Sequence, residues 1–185
     1  GALMDRGLDI QLEMGKRILE EVGDNTDILY IADDLGGQTG PLMSPELYRK
    51  MIKPRQKRIF DFMKSHSDAR IMVHSCGSVN AFIGDLIDMG VDALNPVQVS
   101  SRDMGGDQLK REFGKEICFW GGIDTHKVLP FGSPDDVREE VKRRMGELAP
   151  GGGYVLSSVH NIQKEVPPEN VITMLEAALE FGSYN

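Results

Sequence analysis

Residues 69–97, which read ARIMVHSCGSVNAFIGDLIDMGVDALNPV, contain the pattern that decides the fold. An apolar run at 69–76 is followed by a segment at 79–90 with apolar residues at helical spacing, closed by Gly90. A second, short apolar run follows at 92–97. A strand, a helix and a strand in this order predict a βαβ unit with two parallel strands. The segment therefore indicates an α/β fold.

The same alternation continues on both sides of this segment. Further apolar runs predict strands at 27–34, 116–124 and 151–161. Apolar residues at helical spacing predict helices at 4–22, 44–66, 100–114, 133–149 and 167–182. Two of these helices begin with Ser-Pro, an N-cap followed by a first-turn proline, and Pro54 is expected to kink the second helix. Five strands separated by helices predict a parallel sheet.

Composition and charge narrow the class of protein. Hydrophobic residues make up 40% and charged residues 27% of the 185-residue chain, which is ordinary for a soluble globular protein. The net charge of −8 argues against a nucleic-acid-binding surface, and the basic runs KPRQKR and REEVKRR fit solvated helix faces. No apolar window of 18 residues is present, we expect no secretory signal, and two cysteines are not a disulfide framework. We therefore expect a cytoplasmic protein with reduced thiols and with no membrane or nucleic-acid partner.

Polar residues follow the predicted strands at their C-terminal ends. In parallel α/β barrels this rim is where the chemistry is done, so these residues are candidates for a functional site. They are Asp33, Asp34, His74, Cys76, Asn95, Gln98, Asp124, His160 and Asn161.

His74 and Cys76 form the most informative pair at this rim. Residues two apart in a strand point to the same face, so the imidazole and the thiol are predicted to lie side by side. That arrangement suits a metal ion. Core packing is the alternative, because cysteine often behaves as a small buried hydrophobe and histidine as a structural group.

Four segments of the chain resemble the uroporphyrinogen decarboxylase superfamily, which includes cobalamin-dependent methyltransferases acting on thiols such as coenzyme M. The segments are HSCGSV, DALNPVQ, FWGGIDTHKVLPFGSPDDVREEV and GGGYVLSSVHNIQKEVPPENV. The resemblance implies the C-terminal part, about five βα units, of a (β/α)8 TIM-type barrel, as a single domain over 1–185 that lacks the N-terminal strands. We expect a homo-oligomer or part of a longer chain, because five strands leave an open sheet edge.

The resemblance also implies a ligand set. Methyltransferases of the superfamily have His-x-Cys where this chain has His74 and Cys76, whereas the decarboxylases use no metal and generally lack the pair. His160 stands where the methyltransferase pattern has a cysteine and the decarboxylase branch has a histidine, so it is compatible with both. Together His74, Cys76 and His160 would match a catalytic zinc site with one open position. The alternative is a metal-free His/Cys pocket.

Three aspartates are the candidate catalytic residues. Asp33 or Asp34 could act as a general base or a fourth metal ligand. Because adjacent strand residues point to opposite faces, at most one of them is expected to reach the centre, while the other caps a helix or stabilises a loop. Asp124, in GGID, stands where the family has GNLD or GNVD.

Two amides and a glycine are the candidate substrate-binding residues. Asn95 and Gln98 flank Pro96 and could orient a ligand without adding charge, although Asn-Pro is also a turn initiator. Gly122, next to Gly121, could let backbone amides approach a ligand or could serve tight packing.

The resulting prediction is a zinc-dependent methyl transfer involving a corrinoid cofactor or corrinoid protein and a thiol or similar acceptor. The zinc would either activate the thiol or help a methyl donor transfer its methyl group to the corrinoid cofactor or its carrier protein. The first alternative is metal-free decarboxylation of a porphyrinogen-type substrate. The second is a non-catalytic module that binds a corrinoid protein. His66 and His126 are expected to have no part in the site.

Overall fold

The structure, a computed structural model, describes residues 1–183. Within these residues, five parallel strands form one sheet in the order β1-β2-β3-β4-β5. The strands are β1 (Ile28–Ala32), β2 (Arg70–His74), β3 (Ala93–Val97), β4 (Cys118–Ile123) and β5 (Tyr154–Ser158). The α-helices are α1 (Ala2–Val22), α2 (Pro45–Met51), α3 (Lys53–His66), α4 (Asn80–Asp88), α5 (Gly106–Phe113), α6 (Val128–Phe131), α7 (Pro134–Leu148) and α8 (Pro168–Phe181). The predicted α/β fold with a parallel sheet is confirmed.

The helices pack against one face of the sheet. Val73, Leu94 and Phe119 lie in register on neighbouring strands and are fully buried. They belong to a core that includes Phe60 of α3 and Phe82 of α4. Burial of these large apolar side chains, each stabilising by about 1.5–3 kcal/mol, holds the strands in a fixed register.

The opposite face of the sheet is open at β1 and β5. Ile28 and Tyr30 of β1 and Val155 of β5 are 41%, 53% and 37% exposed. His74 pairs with Ala32 on one side and with Asn95 on the other, so these three side chains form a row on this face. The row lies at the C-terminal ends of the strands, where the sequence placed the candidate site.

Some element boundaries differ from the predicted ones. The helix predicted at 44–66 is broken at Ile52 into α2 and α3, and Pro54 lies in the first turn of α3, where its missing N–H costs nothing. The helix predicted at 100–114 begins only at Gly106, because the N–H of Arg102 donates to the carbonyl of Gln38 instead of to a helical partner. The short α6 was not predicted, since four residues contain no readable periodicity.

Other sequence-based expectations concern helix caps, thiols and membrane spans. The Ser44 and Ser133 hydroxyls accept N–H groups at the starts of α2 and α7, as predicted. Cys76 and Cys118 are free thiols. Among residues 1–183, no helix combines the length and apolar character needed to span a bilayer.

Candidate functional site

An open cavity of about 930 Å³ lies at the C-terminal ends of the strands, on the open side of the sheet. Its walls come from the ends of β1, β2, β3 and β5 and from the segments that follow β1 and β5. The lining residues are Tyr30, Ala32, Asp33, Asp34, His74, Asn95, Ser158, Val159, His160, Asn161 and Ile162.

His74, Cys76 and His160 converge at this cavity. One ligand atom from each residue lies within 4.8 Å of the other two. Cys76 Sγ and His74 Nε2 are 3.4 Å apart. His160 follows β5 and reaches His74 from across the cavity, with the two ring centroids 6.1 Å apart. The fold therefore brings together three residues that the sequence placed on two separate strand ends.

His74 is oriented by Asn95 on the neighbouring strand. The Nδ1 of His74 lies 2.7 Å from the amide oxygen of Asn95. An amide oxygen only accepts hydrogen bonds, so in a neutral imidazole the proton lies on Nδ1 and Nε2 carries the lone pair. Nε2 is the atom that faces Cys76. The neutral imidazole of His74 thus directs its Nε2 lone pair toward the sulfur of Cys76.

Two loops hold Cys76 in place: the β1 loop (residues 33–43) and the β2 loop (residues 75–79). Three hydrogen bonds, which we call the loop–loop bonds, join them. They run from Leu35 N to Ser75 Oγ (2.9 Å), from Cys76 N to Asp34 Oδ1 (3.0 Å) and from Ser78 N to Gly37 O (2.8 Å).

Close backbone contact between the loops requires glycine on both sides. Gly77 has φ +83°, and a Cβ at this residue would lie 2.5 Å from the carbonyl oxygen of Gly36. A Cβ at Gly36 would lie 2.7 Å from the backbone nitrogen of Ser78. The backbone that carries Cys76 is therefore fixed by packing as well as by hydrogen bonds.

Gln98 does not line the cavity, but it supports the β2 loop. This amide is buried, accepts the N–H of Gly77 at 2.8 Å and donates to the side chain of Gln38 at 2.8 Å. Both ends of the amide are thus engaged within the protein. These contacts give Gln98 a loop-supporting role, and the ligand-contacting role expected from the sequence stays a prediction.

The electrostatics of the cavity are set by carboxylates and burial. Burial raises the pKa of the Cys76 thiol above its ordinary value, and the nearby Asp34 carboxylate raises it further. Burial likewise raises the pKa of Tyr30, with smaller contributions from Cys76 and Asp34. Without a cation, Cys76 is therefore a neutral thiol near neutral pH, and its S–H can donate to His74 Nε2.

Asp33 and Asp34 both line the cavity, whereas the sequence alternation allowed only one to do so. The reason is that β1 ends at Ala32, so the strand geometry does not extend to the two aspartates. Asp33 accepts a hydrogen bond from Gln56 at 2.8 Å, and Gln56 accepts one from the Tyr48 hydroxyl at 2.7 Å. Asp34 holds the β2 loop through the Cys76 N–H, which is the loop-stabilising role expected for one of the two.

Gly122 and Asp124 do not line the cavity. Gly122 has φ +93°, and a Cβ there would lie 2.7 Å from the Tyr154 hydroxyl, so tight packing accounts for this glycine. Asp124 is buried and accepts the backbone N–H of His126 at 2.7 Å. Asp124 therefore shapes the turn that follows β4, whereas Gly122 allows close packing of β4 against Tyr154 of β5.

Three residues of the site were missed by sequence reasoning. Tyr30 and Ser158 line the cavity, and Gln56 positions Asp33 from helix α3. Tyr30 could have been found, because it lies two residues before Ala32 and therefore on the same face of β1, and both residues line the cavity. Gln56 could not have been found, because the charged segment around it predicts a solvent-exposed helix and does not show which of its residues contacts the end of β1.

A family model described as uroporphyrinogen decarboxylase (URO-D) matches residues 2–181. The chain belongs to the uroporphyrinogen decarboxylase family. Within this family it is similar to proteins of two named activities. It is 28% identical to the methylcobamide:CoM methyltransferase MtaA of Methanosarcina barkeri over 182 residues, which is 97% of this chain and 49% of that protein. It is 24% identical to the uroporphyrinogen decarboxylase of Hydrogenovibrio crunogenus over 178 residues, which is 95% of this chain and 44% of that protein.

A solved structure shows the same fold. A methyltransferase from Methanosarcina mazei superposes with a TM-score of 0.74 at 24% identity, covering 97% of this chain and 48% of that chain. The prediction of about five βα units of a (β/α)8 barrel is confirmed. The chain spans about half the length of the curated family members it matches.

Proposed function

We propose that this protein is a zinc-dependent enzyme of the methyltransferase type, with His74, Cys76 and His160 as the protein ligands. The observation that carries the proposal is the convergence of these three donor atoms within 4.8 Å of one another at the cavity. Two nitrogens and one sulfur are a donor set typical of catalytic zinc, which keeps a fourth position open for water or substrate.

The donor atoms present fit this metal. Zinc bonds of about 2.0–2.3 Å at the tetrahedral angle separate two ligand atoms by about 3.4–3.6 Å. Cys76 Sγ and His74 Nε2 already lie 3.4 Å apart, and the His74 nitrogen that faces the sulfur carries the lone pair. His160 is exposed at the cavity wall, so its ring can rotate toward the pair without displacing core residues.

The chemistry follows from the charge on sulfur. A zinc ion held there would lower the pKa of a thiol entering the open position, so that its sulfur is a thiolate near neutral pH. We assign uptake of the thiol proton to the carboxylate of Asp33, which lines the cavity and accepts a hydrogen bond from Gln56. The ring of Tyr30, with its centroid 5.7 Å from that of His74, forms the apolar wall beside the acceptor.

The proposed reaction is transfer of a methyl group from a corrinoid cofactor or corrinoid protein to a small thiol. It is supported by the similarity to methylcobamide:CoM methyltransferases over nearly the whole chain. Since the chain spans about half of those proteins, the complete activity, its thiol acceptor and its corrinoid partner all belong to the proposal. A single domain over 1–185, a homo-oligomer or longer chain, and a cytoplasmic location also stay predictions.

A second candidate function is metal-free decarboxylation of a porphyrinogen-type substrate. The observation that favours it is the presence of two adjacent carboxylates, Asp33 and Asp34, in the cavity wall. Carboxylates can stabilise positive charge on a pyrrole ring while a carboxylate group is lost. Relatives named uroporphyrinogen decarboxylase are consistent with this candidate.

Metal retention separates the two candidates. Purified protein is loaded with zinc, dialysed and assayed for bound metal, beside Cys76→Ser and the matched control Cys118→Ser. We expect about one zinc per chain for the wild type and Cys118→Ser, and a loss of zinc in Cys76→Ser. Equal and negligible zinc in all three would reject the zinc proposal and favour the decarboxylase.

A further inference from the structure

We propose that Asn95 is a positioning residue that fixes the tautomer and ring orientation of His74, and is not a substrate-binding residue. The inference rests on the proposed function, because the hydrogen bond from His74 to Asn95 would present His74 Nε2 to a metal ion. Asn95 is half-buried and lines the cavity, and it is not one of the proposed metal ligands. The inference gives this amide a role.

The first support is that Asn95 contacts the ligand-bearing strand twice. Its side-chain oxygen lies 2.7 Å from His74 Nδ1, and its backbone carbonyl accepts the N–H of Ser75 at 2.7 Å. Ser75 stands between the two proposed ligands. Strand pairing in register, His74 opposite Asn95, makes both contacts at once.

The second support is the directionality of the bond. Because the amide oxygen accepts, the proton of a neutral His74 must lie on Nδ1. The opposite tautomer would place a hydrogen on Nε2, the nitrogen that faces Cys76 Sγ at 3.4 Å, and that nitrogen could not bind a metal. Metal-binding histidines commonly donate their other N–H to a carbonyl or carboxylate for this reason.

The third support is that the backbone on either side of Asn95 is held in place. Leu94, which precedes Asn95, and Pro96, which follows it, are both buried, and β3 is paired on both sides by β2 and β4. The neighbours of Asn95 along the chain therefore fix its backbone. An amide on such a strand is pre-organised, so little conformational entropy is lost when it holds the imidazole.

The first test measures the tautomer in metal-free protein by ¹⁵N NMR of the histidine ring nitrogens. The variants are Asn95→Leu, which cannot accept a hydrogen bond, Asn95→Asp, which can, and Asn25→Leu as a control at an exposed asparagine outside the cavity. We expect a protonated Nδ1 for His74 in the wild type, Asn95→Asp and Asn25→Leu, and loss of that signature in Asn95→Leu. An unchanged tautomer in Asn95→Leu would overturn the inference.

The second test measures zinc affinity of the same four proteins by competition with a chelator. We expect Asn95→Leu to bind zinc about 10–100-fold more weakly, while Asn95→Asp and Asn25→Leu stay near the wild type. Equal weakening in Asn95→Leu and Asn95→Asp would also overturn the inference, since it would reflect packing rather than an accepted hydrogen bond. If the wild type binds no zinc, the proposed function fails, and the NMR result alone decides the role of Asn95.

Discussion

Replacing Gly77 by alanine should destabilise the protein strongly, because this residue lies where the β1 and β2 loops touch. Its φ of +83° is in the left-handed region, which costs a residue with a Cβ about 1–2 kcal/mol. The new Cβ would also lie 2.5–2.7 Å from backbone atoms of Gly36 and Gly37. Backbone atoms cannot rotate away, so the loops must separate.

The total cost follows from what the separation breaks. Each of the three loop–loop bonds contributes about 0.5–1.5 kcal/mol, so their loss adds about 1.5–4.5 kcal/mol to the strain. We therefore expect Gly77→Ala to lower the free energy of unfolding by at least about 2.5 kcal/mol, a large part of the 5–15 kcal/mol typical of a domain. The same separation would carry Cys76 away from His74 and weaken zinc binding.

Urea unfolding measures the effect, with Gly84→Ala as the matched control. Gly84 lies inside helix α4 with no heavy atom within 4 Å of an added Cβ. Alanine there should raise the free energy of unfolding by about 0.5–1 kcal/mol, because glycine is a poor helix former. A Gly77→Ala protein within about 1 kcal/mol of the wild type would refute the close-contact reasoning.

Three further predictions concern the loop support, a helix cap and the third ligand. Gln98→Leu should lower the free energy of unfolding by about 1–3 kcal/mol, because it leaves the Gly77 N–H without its partner, and an unchanged urea midpoint would contradict this. Hydrogen bonds from Ser133, first from its side chain and then from its backbone, lower the pKa of Asp136, so this stabilisation is present above the ordinary aspartate pKa and is lost as the pH falls through the folded-state pKa. Ser133→Ala should accordingly lower the melting temperature most above about pH 5 and less below about pH 4, and a pH-independent difference would argue against the contribution of the Asp136 carboxylate. His160→Ala should weaken zinc binding in a chelator competition while His126→Ala should not, and equal behaviour of the two variants would remove His160 from the ligand set.

The strands and the order of the sheet were predictable because buried parallel strands are continuous apolar runs. The ends of the strands were harder to predict. The run at 151–161 contains a strand only at Tyr154–Ser158, since Gly151, Gly152 and Gly153 all adopt positive φ and cannot continue an extended strand. A glycine run in the sequence does not show whether its residues are extended or left-handed.

The convergence of His74, Cys76 and His160 was predictable from topology, because parallel strands bring their C-terminal ends to one edge however far apart they lie in sequence. The residues that support them were not. The Asp34 contact with the Cys76 N–H depends on the path of the β1 loop, and the Gln56 contact with Asp33 depends on how α3 packs. Such contacts are set by tertiary packing, which no local pattern encodes.

The central claim is that one cysteine and two histidines of this chain hold a zinc ion, and X-ray absorption at the zinc edge tests it most directly. For zinc-loaded wild-type protein we expect one sulfur at about 2.3 Å together with nitrogen or oxygen ligands at about 2.0–2.1 Å. The sulfur should disappear from the spectrum of Cys76→Ser and remain in that of Cys118→Ser. A wild-type zinc shell with no sulfur, or one that keeps its sulfur in Cys76→Ser, would contradict the account.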